Sequence, residues 1–176
     1  MSRGFFWRFA VLLIVLSTVY GFAQNPVRLE LVSFKVVTYK TDDGKLAEKL
    51  TTVSKVAPGD VLEWRLRAEN TSSEKLAEVA LIIPIPPQTY YLEGSASPLL
   101  LEQEGQKKIF IPEFSYDGGV NYGTPPLYKT VTEVVDGKEI VKKVVVPPEE
   151  YTHARWVVDY LLPGEVVEVS LRTKVR

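Results

Sequence analysis

The segment Ala57-Pro58-Gly59-Asp60-Val61-Leu62-Glu63-Trp64-Arg65-Leu66-Arg67-Ala68 decides the fold class. Its first four residues follow the recipe of a type II turn. Proline presets φ at the second position, and glycine supplies the positive φ required at the third. From Val61 onward the period is two. Leu62, Trp64, Leu66 and Ala68 form an apolar set, and Val61, Glu63, Arg65 and Arg67 form a mostly polar one. Alternation of this kind predicts a half-buried β-strand.

The same grammar runs in both directions from that strand. Val27 to Lys40 reads as a long strand with Leu29, Leu31 and Ser33 alternating against Arg28, Glu30 and Val32. Asp42-Asp43-Gly44 is turn chemistry, and Lys45 to Val56 returns as its partner. Asn70-Thr71-Ser72-Ser73 reads as a solvated polar loop that also fits the N-glycosylation pattern. Leu76 to Ile85 is a strand closed by Pro84, Pro86 and Pro87, which cannot donate to a central ladder. Leu99-Leu100-Leu101 and Ile109-Phe110-Ile111 flank Glu104-Gly105-Gln106 as a hairpin. Tyr128 to Val135 and Glu139 to Val146 flank Asp136-Gly137, the strongest short hairpin signal in the chain. Ala154 to Leu161, around Trp156, and Val166 to Val175 complete the set. The last strand is introduced by Leu162-Pro163-Gly164-Glu165, which repeats the order of Ala57-Pro58-Gly59-Asp60. Each copy extends over one strand only, so the repeat reads as shared turn geometry rather than a duplicated domain.

Many short strands, regular turns and no helical stripe predict an all-β fold. The expectation is an immunoglobulin-like antiparallel β-sandwich with an extended β-hairpin, its core holding Trp64 and Trp156.

The first residues carry a different signal. Arg3 and Arg8 precede an uncharged, almost wholly apolar run from Phe9 to Tyr20, and Gly21-Phe22-Ala23 places small residues at a cleavage site. This is the three-part pattern of a secretory signal peptide. Gln24, Asn25 and Pro26 cut the apolar run short of the roughly 20 residues a membrane span needs. The expected division is a signal peptide over 1–23, cut between Ala23 and Gln24, and one domain over 24–176 with no membrane span. The product would be periplasmic, envelope-associated or extracellular. The absence of cysteine excludes disulfide staples and a lipid-anchored N-terminus. Twelve prolines with a single methionine suit a heat-adapted source. With 21 basic against 22 acidic residues the chain has no general attraction for nucleic acid.

Val56 to Trp64, with Asn70 closing the strand, resembles the start of the DUF11 conserved repeat domain of bacterial and archaeal surface proteins. Pro84-Ile85-Pro86-Pro87 and Gly94-Ser95-Ala96 fit the continuation of that pattern. Glu113 to Gly119, Tyr151 to Trp156 and Leu162 to Glu165 resemble its form in secreted Deinococcus–Thermus proteins. The resemblance implies an immunoglobulin-like module on an exported or cell-envelope protein, with no catalytic residues to carry over. The chain departs from many members in holding one copy rather than a tandem array.

Residues that could carry chemistry are few. One histidine, His153, and no cysteine leave zinc or copper without a suitable ligand set. Asp42, Asp43 and Asp117 stand on turns where calcium ligands could converge, although turn geometry explains them. No Gly-x-Ser-x-Gly elbow or phosphate-binding glycine loop is present. The expectation is therefore a module that is not an enzyme and needs no cofactor. Its partner would be a protein or another envelope component, including a second copy of the chain. The alternative is a carbohydrate-binding module that stacks sugars on the loop tyrosines Tyr116, Tyr122, Tyr128 and Tyr151. The Pro58-Gly59-Asp60 and Pro163-Gly164-Glu165 turns are expected to be structural.

Overall fold

The structure is a computed structural model describing residues 26–176 except Asp136. The leader and the proposed cut between Ala23 and Gln24 lie outside the described residues. Twelve strands follow in order: β1 (Val27–Lys40), β2 (Leu46–Thr52), β3 (Val61–Asn70), β4 (Leu76–Pro84), β5 (Thr89–Tyr91), β6 (Leu99–Gln103), β7 (Gln106–Phe110), β8 (Glu113–Ser115), β9 (Tyr128–Val135), β10 (Lys138–Val145), β11 (His153–Leu161) and β12 (Val166–Val175). A single 3₁₀ turn, Pro148–Glu150, precedes β11. The described chain is all-β.

A five-stranded sheet ordered β2-β1-β3-β12-β5 packs on a three-stranded sheet ordered β4-β11-β8, and every pairing is antiparallel. This is an immunoglobulin-like sandwich. Leu66, Ala68, Val167, Val169 and Leu171 from the larger sheet meet Leu81, Ile83, Ala154, Trp156 and Val158 from the smaller one. Trp156 is fully buried and its indole N–H donates to the Ser97 carbonyl at 3.0 Å. Trp64 lies at the core margin, and its N–H donates to Thr173 Oγ1 at 3.0 Å. The β6–β7 hairpin closes one end through Gln103, which donates to the Tyr160 carbonyl at 2.8 Å. The β9–β10 hairpin pairs only with itself.

The two Pro-Gly-acid turns belong to adjacent strands of one sheet, β3 and β12, and they are built alike. Asp60 N–H donates to Ala57 O and Glu165 N–H donates to Leu162 O, both at 3.0 Å. Gly59 and Gly164 occupy φ of +90° and +74°, the region that excludes an ordinary side chain. Each acid then reaches back to the N–H that opens its turn, Asp60 to Ala57 at 2.7 Å and Glu165 to Leu162 at 2.8 Å. The turns also lock the pair together. Gly59 N–H donates to Val175 O and Gly164 N–H donates to Asn70 O, both at 2.9 Å. In return Val175 and Asn70 donate to the carbonyls of Asp60 and Glu165 at 2.9 and 3.1 Å. The pair is a local two-fold with Arg65 opposite Ser170 at its centre. The repeat in sequence is the mark of that symmetry.

The outer face of this sheet is closed by charge. Glu63 is buried between Arg65 at 2.7 Å and Arg172 at 3.0 Å, and Arg172 also meets Glu48 at 2.8 Å. The inner face is less complete. Leu29 and Leu31 sit opposite the buried Ala68 and Leu66, yet they are exposed because the three-stranded sheet does not reach across β1.

Asn70 overturns its reading as part of a solvated loop. It is fully buried, and its amide donates to Leu161 O at 3.0 Å and Glu74 O at 2.7 Å. Its carbonyl accepts from Ser72 N–H at 3.0 Å and Ser72 Oγ at 2.7 Å. One side chain thus joins the end of β3, the following loop and the end of β11, and no glycosylation can reach it in the folded chain. Asn70→Ala strands the buried Leu161 carbonyl and cuts the ties to Glu74 and Ser72, so it is expected to cost about 2–4 kcal/mol. In thermal denaturation this appears as a Tm roughly 5–12 °C lower for a domain of this size. A change under about 1 °C would contradict the role given to Asn70.

Candidate functional site

The residues singled out as a tyrosine surface gather at one end of the sandwich, around the root of the β9–β10 hairpin. Tyr116, Tyr122 and Tyr128 line a small cleft of about 180 Å3 with Phe114, Asn121 and Leu127. Tyr151 does not join them. It is only 4% exposed and packs with Tyr91 and Phe114, ring centres 6.1 and 5.0 Å away. The correction has a local cause. The 3₁₀ turn ends at Tyr151, whose N–H donates to Pro148 O, and this carries the ring under the loop instead of over it.

The three remaining rings are occupied. Arg155 lays its guanidinium 4.1 Å from the Tyr122 ring centre while Nη2 and Nε hold Glu113 at 2.6 and 3.0 Å. Lys143 Nζ stands 4.5 Å over Tyr128. Tyr116 is half-buried and its hydroxyl donates to the Tyr128 carbonyl at 3.2 Å. A sugar-stacking platform needs free, coplanar faces, and these rings already carry cations or core contacts. Burial pushes the Tyr122 phenol above its ordinary pKa; Arg155 opposes the shift, and Asp117 adds to it.

Asp117 is the organiser of the adjoining loop. Its carboxylate accepts from Asn121 N–H at 3.0 Å, Ser115 Oγ at 2.7 Å, Asn121 Nδ2 at 2.7 Å and Val120 N–H at 3.1 Å. These donors, led by the Asn121 N–H, hold its pKa well below the ordinary carboxylate range. The lone pairs a cation would need are already taken. Asp43 is spent similarly on Lys45 and the Thr41 hydroxyl. Among the described residues no three His, Asp or Glu side chains converge on a metal-sized site.

Two hollows flank Tyr151. One of about 380 Å3 is walled by Tyr91, Phe114, Pro112, Pro125 and Pro148. The other, of about 730 Å3, lies between Pro84–Pro87 and Glu149–His153 and holds the only histidine. His153 Nδ1 is 3.1 Å from Thr152 Oγ1. That hydroxyl already donates to Ser115 O and accepts from Gly118 N–H, each at 3.1 Å, so its proton is not directed at the imidazole. Arg176 spends its guanidinium on the Thr89 and Glu149 carbonyls, at 3.1 and 2.9 Å. The hollow is shaped by proline and open to solvent.

The β9–β10 hairpin stands largely outside the cover of the sandwich. Its root is fixed: Val146 is fully buried, its N–H donates to Leu127 O at 2.9 Å, and Lys129 pairs with Glu150. Beyond the root no residue of β10, and none of the described side chains of β9, is buried. Val134 and Val141 are 70% and 68% exposed. Comparison with known protein families, curated proteins and solved structures finds no match to the chain.

Because the depressed Asp117 pKa stabilises the fold above the ordinary carboxylate value, that contribution disappears as pH falls below it. Asp117→Asn keeps the shape but loses the charge and turns a donor toward other donors. Denaturant midpoints for the two proteins are expected to differ at neutral pH and to approach one another below about pH 4. A gap that stays constant with pH would contradict the account of this loop.

Proposed function

We propose that the chain is an exported, non-catalytic interaction module whose docking element is the β9–β10 ribbon, presented by a self-sufficient sandwich. One observation carries this reading. An isolated two-stranded hairpin is marginal in water, yet here one projects with valines and isoleucine exposed and both edges unpaired. Such a ribbon is stabilised by what it docks against. Strand addition at an edge supplies backbone hydrogen bonds, and alternate side chains supply selectivity. The leader pattern of residues 1–23 supports export, and the DUF11-type resemblance supports a site at the cell envelope.

Support also comes from two other surfaces that are already satisfied. The outer face of the five-stranded sheet is knit by its own ion pairs, and the loop tyrosines are covered by Arg155 and Lys143. The partner class this favours is protein rather than glycan.

Val134→Lys and Val141→Lys each change a largely exposed position, so the Tm is expected to stay within about 2 °C of the parent. Retention of the purified protein on an envelope fraction, measured by co-sedimentation, is expected to fall for both variants. Undiminished retention by a variant lacking residues 129–144, with Gly-Gly in their place, would remove the ribbon from the reading.

A further inference from the structure

The ribbon carries enough pattern along one edge to say what can pair with it. On β10 the face shared by Glu139, Val141, Lys143 and Val145 lies opposite Val134, Thr132, Thr130 and Tyr128 of β9. The other face holds Lys138, Ile140, Lys142 and Val144. The charges of the two strands are used differently. On β9, Lys129 is tied to Glu150 and Glu133 to Lys142 at 2.6 Å. Among the described residues Glu139 and Lys138 of β10 have no ion-pair partner, and Lys143 stands over the Tyr128 ring. Unspent charge therefore concentrates on the outer edge of β10.

We infer that β10 pairs antiparallel with β10 of a second copy of this chain, in the register that sets Val141 opposite Val141 of its partner. This rests on the reading of the ribbon as the docking element and names its occupant. A symmetric antiparallel pair that keeps one continuous sheet face must be centred on a residue, because opposite residues share a face. Centring on Glu139, Lys142 or Lys143 places that charged side chain against its own copy. Centring on Ile140 brings Lys138 against Lys142. Only the Val141 centre, among these five, opposes no like charges; centring on Val144 or Val145 opposes none either, but overlaps only the root end of the strand. It sets Glu139 against Lys143 twice, once on each side of the axis, with Ile140 against the aliphatic stem of Lys142 on the far face.

The lysines of β10 thus act as selectors. Edge lysines block indiscriminate strand pairing, and here they reject four symmetric registers while the fifth satisfies them. The edge of β4 shows the contrast. Glu78 there adopts φ +50°, the ladder to β11 skips the Glu78–Asp159 step, and Pro84 ends the strand, so the edge is broken. β10 keeps unbroken register with β9 from Lys138 to Val145. A four-stranded ribbon joined by one edge is at the small end of interface sizes, and its expected dissociation constant is roughly 10 µM to 1 mM.

Sedimentation equilibrium of the 24–176 chain is expected to show reversible dimers in that range. Glu139→Lys and Lys143→Glu each turn two attractions into two repulsions, so each is expected to weaken dimerisation roughly tenfold. The double variant Glu139→Lys/Lys143→Glu restores the opposition with reversed signs and is expected to recover the parent affinity. The chain has no cysteine, so Val141→Cys alone should yield a disulfide-linked dimer on mild oxidation while Val131→Cys on β9 should not. A double variant as weak as the singles, or cross-linking through Val131→Cys instead, would overturn the register. A parent chain that remains monomeric to about 1 mM would overturn self-pairing itself. If the parent stays monomeric yet is retained on the envelope through residues 129–144, the docking reading stands and only the second copy is lost; loss of both results removes both.

Discussion

The reciprocal lock between β3 and β12 is the constraint on which the rest of the molecule depends. Each strand begins with a Pro-Gly-acid turn whose glycine N–H and acid carbonyl bond the end of the other strand. The two strands therefore hold each other at both ends as well as along the ladder. Both lie inside the five-stranded sheet, with β1 on one side and β5 on the other. Their inward side chains, from Leu62 and Leu66 to Val169 and Leu171, are the floor on which Trp156 and the three-stranded sheet rest. The two turns, at Pro58 and Pro163, lie far apart in sequence, so this lock closes the fold only when residues from both halves meet. A topology of this kind is built from non-local contacts and has no disulfide to shorten the search.

Two side chains extend the lock outward. Asn70 carries it across the sandwich by joining the end of β3 to the end of β11. Lys35 carries it along the sheet, holding Asp60 of the first turn at 2.6 Å from β1. At the end of the sandwich away from Asn70 the aromatic trio of Tyr91, Phe114 and Tyr151 fills the space beneath the loops, and Val146 enters the same core. The ribbon is thereby rooted in packed aromatic surface while its outer two-thirds stand in solvent. Stability and presentation are divided between different residues, which is the physical basis for assigning docking to the ribbon and support to the sandwich.

Much of this was legible in the chain. Alternation around Trp64 announced a strand with one apolar side, and Asp-Gly and Pro-Gly pairs placed the turns where backbone φ is positive. The hairpin over 128–146 was readable because Asp136-Gly137 separates two β-branched runs. What escaped was set by partners distant in sequence. Leu29 and Leu31 alternate as core residues should, but no strand of the smaller sheet lies over them. Asn70 reads as loop polarity, and only the carbonyl of Leu161 reveals it as a buried tie. Tyr151 sits among prolines like an exposed ring, and the single 3₁₀ turn drives it inward. The cations that cover Tyr122 and Tyr128 arrive from β11 and β10, so the availability of those rings could not be read from their own neighbours.

The central claim is a sandwich that is complete without its ribbon. Native-state amide hydrogen exchange on dilute, monomeric protein tests it most directly, because it measures the opening free energy of each segment separately. The account predicts that β3 and β12, with the Gly59 and Gly164 amides at their turns, exchange only through global unfolding. It predicts that the outer amides of β9 and β10 exchange faster by several orders of magnitude, through local opening. Ribbon amides as protected as those of β3 and β12 in the monomer would contradict it, since the hairpin would then be part of the cooperative core and not an element awaiting a partner.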